Sequence, residues 1–468
     1  MDADSSATVR SFGEEHFGAA ELGDARLTAR LVRTADCFLS HPGGTLPQKL
    51  NRNADLIGFY RLANHPKVNH ANLIAAHCAR TRKWMAGAAG AVLVIHDTTE
   101  IDFSGLDVAD LGPIGHGGCS GYLCHNSLAY DYQAGEVLGL ANQTLHVRRK
   151  VPRGESPKAK REHPRRESRL WKKGWKALGP PTPGRLRVNI ADRGADLFEF
   201  IEAVEEAGDH YVIRSKSNRN IEMEGGRGQV TAARLHDWAR LLPSRGTRTV
   251  AVAAHLGQKA RSATVRVAGG QVTLQAPHFA RGEHSSRNLV AWVVHVKETC
   301  VPAEGSPIEW IPLTNVKAGN FLEIAERIDW YACRPIIEEF HKAQKTGCGI
   351  ELPQFTTGPA LRAAIAVQSV VATQLLRLRD LSRRPDAATR PATDVVDVEY
   401  VEAVSLWRFN EVRDPLTVHD FFKALAKLGG HLNRKGDGSP GWLVLWRGWT
   451  QLQLLVAGAR GARRRQCV

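Results

Sequence analysis

Residues 91–95 read AVLVI, an unbroken apolar run. A half-exposed strand alternates apolar with polar residues; a continuous run suits a strand buried on both faces. Such a strand needs cover on two sides, so the chain must layer helices on a sheet. The run ends at His96 and Asp97. A second unit repeats the theme: residues 187–190 lead into Ala191 and Asp192. A helical pattern follows (Leu197, Phe198, Phe200, Ile201, Val204), then HYVIR at 210–214. Strand, acid, helix, strand is an α/β unit, and sites tend to lie beyond the carboxyl ends of such strands. Between the two units, LAYDY and EVLGLANQTLHV flank QAG, which reads as a hairpin.

The rest of the chain has a different texture. The first 80 residues read as helices, one capped by Asp24 and carrying Leu27, Leu31 and Val32, another carrying Leu56, Ile57, Phe59, Tyr60 and Leu62. Arg26, Arg30, Arg33, Lys49, Arg52 and Arg61 lie among them, as in a small DNA-binding unit or a solvated basic face. Residues 247–297 are mostly β and look like an insertion in the α/β domain. Residues 320–381 return to helix, with a core helix at 361–381. Residues 382–397 look like a linker. Beyond it, Trp407, Trp442, Trp446 and Trp449 suggest a packed helical domain or an interface.

At 468 residues the chain suggests about three domains. The organisation expected is 1–72, 73–381 with a β-rich insertion at about 218–310, and 382–468. Eight scattered cysteines in so long a chain read as reduced thiols of a cytosolic protein. No run reaches the roughly 18 apolar residues of a membrane span; residues 363–376 come nearest and include Gln368, Ser369 and Gln374. The N-terminus has no apolar signal core. Lys and Arg number 63 against 48 Asp and Glu, a net charge of +15. That surplus favours a polyanionic partner, nucleic acid ahead of a membrane surface. Residues 148–176 hold thirteen Lys or Arg against Glu155, Glu162 and Glu167. With Pro152, Pro157 and Pro164, they read as a mobile loop, a phosphate-contacting segment, or both.

One further pattern carries chemistry. In YACRPIIEEFHKAQKTG, Tyr331, Arg334, Glu338 and Lys345 fall along one helical stripe. The bland reading is an exposed face with ion pairs such as Arg334 with Glu338, or Glu338 with Lys342. The other reading joins Glu338 to the two strand-end aspartates. Three such carboxylates suit Mg²⁺, a hard cation that takes oxygen ligands. Paired ions of this kind activate a water or 3′-hydroxyl for in-line phosphoryl displacement.

Here the sequence resembles the DDE transposases of the insertion-sequence-4 family. Their Tyr-x2-Arg-x3-Glu-x6-Lys signature is present as Tyr331, Arg334, Glu338 and Lys345. IHDTTEIDFSG resembles their first-aspartate strand and ADRGAD their Asp-Arg-x-x-Asp element. ELGDARLTARL, GFYRLANHPKV, LTNV, LGGHL and GWLVLWRGW extend the resemblance over nearly the whole chain. It implies an α/β fold: a ribonuclease-H-like core with a β-rich insertion, between an N-terminal helical DNA-binding domain and a C-terminal helical domain. Asp97, Asp192 and Glu338 would be the catalytic, metal-binding triad, with Mg²⁺ or Mn²⁺. Tyr331, Arg334 and Lys345 would hold phosphates. Arg214 and Lys216 would contact DNA, and Trp310 would stack a flipped base. Arg26, Arg30, Tyr60 and Arg61 would belong to end recognition. The activity implied is cut-and-paste transposition by a homodimer on double-stranded DNA, in the cytoplasm.

Two departures stand out. Pro335 follows Arg334 and disfavours helical geometry there, so a helix starting at Pro335 would leave Arg334 at its cap. Gly194 stands where the family has a larger residue, with little consequence expected.

Three rival readings remain open at this stage. His116, Cys119, Cys124 and His125 offer zinc ligands, at a spacing unlike the usual pairs. An inactive copy or inhibitor of transposition would bind DNA without cutting it. A metal-dependent nuclease would cut without joining.

Overall fold

The computed structural model describes residues 10–115, 118–224, 230–252, 261–278, 284–300, 306–434 and 437–466. Five helices come first: α1 (Phe12–Phe17), α2 (Ala25–Ser40), α3 (Leu46–Lys49), α4 (Asn53–Ala63) and α5 (His70–Gly87). Asp24 caps α2 as expected, accepting from the Arg26 amide at 2.8 Å. Then come β1 (Val92–Asp102), β2 (Gly112–Pro113), β3 (Ser120–Asp131) and β4 (Glu136–His146). Two helices follow, α6 (Pro157–Glu162) and α7 (Arg169–Lys176), before β5 (Arg187–Ala191), α8 (Phe198–Glu206) and β6 (His210–Arg214).

These strands explain the opening pattern. β4, β3 and β1 pair antiparallel, then β1, β5 and β6 pair parallel. Leu93 and Ile95 face a cluster built with the N-terminal helices, while Val92 and Val94 face one built with α7 and α8. AVLVI is apolar throughout because both of its faces are covered.

The sheet continues through the insertion: β7 (Asn220–Glu224), β8 (Val230–Arg234), α9 (Leu235–Leu241), β9 (Gly246–Val252), β10 (Arg261–Leu274), β11 (Leu289–Glu298), β12 (Glu309–Trp310) and β13 (Pro312–Thr314). β13 joins β6 antiparallel, so the insertion extends the same sheet rather than forming a separate one.

The expected helical stretch from 320 is broken. α10 (Phe321–Ala332) stops before Arg334, and α11 (Ile336–Lys342) starts after Pro335. Pro335 has no amide proton to continue the ladder. The stripe of Tyr331, Arg334, Glu338 and Lys345 therefore spans two helices and a wide turn closed by the Cys348 amide on Ala343 O. α12 (Gly358–Ser382) is long and apolar enough to cross a membrane, yet most of it is buried against β4, α5 and its other neighbours.

Two loop expectations give way to packed structure. Residues 148–176 hold α6, capped by Ser156 and without a buried residue, and α7, where Leu170, Trp171 and Trp175 form a buried stripe that a count of charges overlooks. Residues 382–397 are anchored: Ala387 and Ala392 are buried, and the Ala392 amide donates to Leu416 O at 2.8 Å. Beyond them α13 (Val398–Phe409), α14 (Val418–Leu428) and α15 (Trp442–Gln466) share a core around Phe421, Phe422 and Leu445. Gly448 lets α15 touch α14, since a Cβ there would strike the Leu425 carbonyl. Trp442 and Trp446 pack inward, and Trp407 is exposed.

Candidate active site

The parallel pairing of β1 with β5 sets the site. His96 lies opposite Ala191 at the end of that register. Asp97, still paired with Asn126 of β3, and Asp192, just past the end of β5, are the next residues on the two strands, so the acids stand side by side. Asp97 Oδ1 accepts from the Thr98 amide at 2.8 Å. Asp192 caps a short turn, its Oδ1 accepting from the Gly194 amide at 2.8 Å. A Cβ on Gly194 would meet Trp171 at 2.8 Å, so glycine is what lets α7 lie against this turn. The departure noted at Gly194 has a packing reason.

Arg334 joins the three acids. Its Nη2 lies 2.8 Å from Asp97 Oδ2 and 3.8 Å from Asp192 Oδ2, while Nη1 contacts Glu338 Oε1. The ion pair of the bland reading does form, but the same guanidinium also holds both aspartates. Asp97 and Arg334 are mostly buried, and the Glu338 carboxylate, in the first turn of α11, is exposed. Burial pushes the Asp97 carboxyl up to about 6, with Arg334 and the Thr98 amide pulling against it. Among the described residues no three His, Cys, Asp or Glu side chains gather as a ready metal cage. Here the three acids meet on the guanidinium.

A second cluster borders the first. Tyr331 is buried edge-to-face on Trp310, with ring centroids 5.7 Å apart. Arg214 lies beside Tyr331 and donates to Glu309 O at 2.9 Å. Burial raises the Tyr331 hydroxyl's pKa and lowers that of Arg214. Glu309 is clamped by Arg240 at 3.0 Å and by His295 at 3.1 Å, which fixes the backbone of Trp310. Lys345 stands apart, paired with Glu351 at 2.9 Å. Lys216 is exposed in the loop after β6, its amide held by Asp196 at 2.7 Å.

Arg30, Tyr60 and Arg61 line one open groove between α2 and α4, with Ile57 and Asn64. Arg26 is not among its lining residues; it is exposed and bonded to Asp24 at 2.9 Å. Lys49, grouped with these cations in the sequence, is buried instead. Its ammonium donates to Cys348 O at 3.2 Å, and burial lowers its pKa to about 8.

Sequence reasoning missed the polar residues behind the acids. Asn126 pairs with Asp97 across the sheet and donates to His341 Nε2 at 3.1 Å. His96 bridges Ser127 at 3.0 Å and Asn189 at 2.9 Å. Asn126 and Asn189 sit in fully buried stretches of strand, and a polar residue inside such a stretch is the signal that was available. The zinc reading loses two ligands to strand alternation. Cys124 belongs to the core with the N-terminal helices, whereas His125 packs on Trp171 on the other face. His116 lies outside the described residues.

A family model described as transposase DNA-binding matches residues 9–68. The cryo-EM structure of a piggyBac transposase synaptic complex with hairpin DNA is also similar, at 9% identity over 77% of this chain and 67% of that one. Its TM-score of 0.32 leaves the fold here to rest on its own strand pairing. The segment matched by the family model is the one that supplies the groove of Arg30, Tyr60 and Arg61, so this chain's N-terminal helices are similar to the DNA-binding part of transposases.

Proposed function

We propose that the chain is a DNA transposase that cuts and rejoins DNA by metal-dependent phosphoryl transfer. The observation that carries the reading is the convergence of Asp97, Asp192 and Glu338 on one cationic group. The match of residues 9–68 to the transposase DNA-binding model supports it. We read β4, β3, β1, β5 and β6 as a ribonuclease-H-like core, from their order and directions. The chain would act as a homodimer on two paired ends, in the cytoplasm.

The acids fit Mg²⁺ or Mn²⁺ in kind. They form an all-oxygen anionic set, the donor type that hard divalent cations take, and each of the three contacts the Arg334 guanidinium. Asp97, Asp192 and Glu338 would hold the ions. Bound there, the metal supplies Lewis acidity and an activated nucleophile. The protein's own part is placement. Asp97 and Asp192 are fixed by the sheet register and Glu338 by α11. Arg334 and Lys345 would take phosphate oxygens, the former leaving the acids as DNA and metal enter. Arg214 and Lys216 would track the backbone from the end of β6. The N-terminal groove, with Arg26 beside it, would read the transposon end.

Incubation with duplexes taken from either side of the gene, chosen for matching inverted repeats, tests the reading. Mg²⁺-dependent nicking at the repeat ends, followed by joining into a second DNA, is expected. Binding without cutting would leave an inactive copy or inhibitor, and cutting without joining a nuclease.

Trp310 would receive a flipped base during a hairpin step. Unstacking costs a few kcal/mol, and an aromatic platform returns about 1–3 kcal/mol. Trp310→Ala is therefore expected to slow hairpin formation about tenfold or more while nicking changes little. Equal slowing of both steps on a sequencing gel would remove the stacking role.

A further inference from the structure

The helix α7 has an unusual division of side chains. Leu170, Trp171 and Trp175 are buried, while Lys172, Lys173 and Lys176 lie on the opposite side. Gly174 sits so close to β3 that a Cβ would strike His125. Trp175 Nε1 donates to Asp209 at 2.9 Å. The lysine face is thus held on a rigid support. The helix itself borders the turn that carries Asp192, because Trp171, on the side away from the lysines, packs on Gly194.

The charge around it is sorted. Arg148, Arg149 and Arg166 are tied to Glu167, Glu155 and Glu199. α7 contains no acid, and Lys172, Lys173 and Lys176 form no ion pair among the described residues. An ordinary solvated helix face mixes signs, since like charges at i,i+4 repel by about 0.2–0.5 kcal/mol. Lys172 and Lys176 stand at that spacing with no carboxylate between them.

We propose that this face of α7 seats the phosphate backbone of duplex DNA as it passes the acids, beyond the stretch read by the N-terminal helices. The proposal rests on the transposase reading and deepens it. It assigns α7 affinity without sequence preference, because lysine ammoniums meet phosphates as point charges.

The test uses the full chain and a random-sequence duplex long enough to reach from the N-terminal helices to the acids. Lys172→Gln, Lys173→Gln and Lys176→Gln are combined. All three stem from the outer side of α7, so the melting temperature should hold. Each phosphate contact contributes about 0.9 to the slope of log affinity against log salt. The triple variant should therefore lose about 2–3 units of slope and bind roughly 10–100-fold more weakly at low salt. A control triple on the C-terminal unit, Lys423→Gln, Lys427→Gln and Arg434→Gln, removes the same charge and should leave the slope within about one unit. An unchanged slope in the α7 variant, or equal losses in both, overturns the proposal. Cleavage is scored separately. A lowered slope in a protein that cuts no DNA keeps the α7 surface and removes the transposase reading. Normal cleavage with an unaltered slope removes the α7 surface alone.

Discussion

Asp97→Ala, Asp192→Ala and Glu338→Ala are each expected to reduce strand cleavage by about 10³-fold or more while DNA binding survives. Metal-assisted displacement owes several kcal/mol to charge stabilisation, and each 1.36 kcal/mol is tenfold in rate. The three variants differ in what else they disturb. The Glu338 carboxylate is exposed, so its loss removes a ligand and little packing. Asp192 also caps a turn, so Asp192→Ala costs about 1 kcal/mol of stability besides. The N-terminal groove is built by α2 and α4, on elements that none of the three acids touches. A mobility shift on matched ends should therefore stay within about threefold of wild type, a change under 1 kcal/mol. Nicking at the wild-type rate by all three variants would remove the assignment.

Much of this was legible because period and punctuation survive in one sequence. AVLVI announced a strand buried on both faces and HYVIR a strand closing an α/β unit, and Asp97 after the apolar run and Asp192 after β5 followed from the same reading. The spacing of Glu338 from Arg334 signalled an i,i+4 pair, which forms. What spacing could not give was convergence: Asp97 and Glu338 meet only because α11 packs back on β1. α7 was hidden for a different reason. The lysines and arginines of residues 148–176 dominated the composition, while the two tryptophans of α7, four residues apart, decided its fold. Lys49 was misread because a lysine's burial depends on carbonyls distant in sequence, here that of Cys348. The polar pairs Asn126–His341 and His96–Asn189 likewise bridge elements that no local pattern connects.

Arg334→Ala is expected to destabilise the fold by about 2–3 kcal/mol at pH 8 and by far less at pH 4. The reason lies in Asp97, whose carboxyl is raised from 3.8 to about 6 by burial even with Arg334 beside it. An acid whose folded pKa stands above its unfolded value holds protons more tightly when folded. It therefore weakens the fold as pH rises above the unfolded pKa, and fully so above the folded one. At 1.36 kcal/mol per unit, the present shift costs about 3 kcal/mol at pH 8. Without the guanidinium the Asp97 pKa climbs further, and Asp192 and Glu338 lose their shared counter-charge. Below about pH 4 Asp97 is protonated in both states, and the largest part of the penalty vanishes. Asp97→Asn removes the same penalty directly, so it should stabilise the protein at pH 8 while abolishing cleavage. In a double-mutant cycle, Asp97→Asn should cancel much of the loss caused by Arg334→Ala, because the two side chains are in contact. Mn²⁺ should raise the unfolding midpoint of Arg334→Ala more than that of wild type, because ion and guanidinium compete for the same oxygens. Urea unfolding at the two pH values, with and without Mn²⁺, reads all four effects. Equal losses at pH 4 and pH 8 would mean that Arg334 stabilises the fold by packing rather than as the counter-ion of the acids.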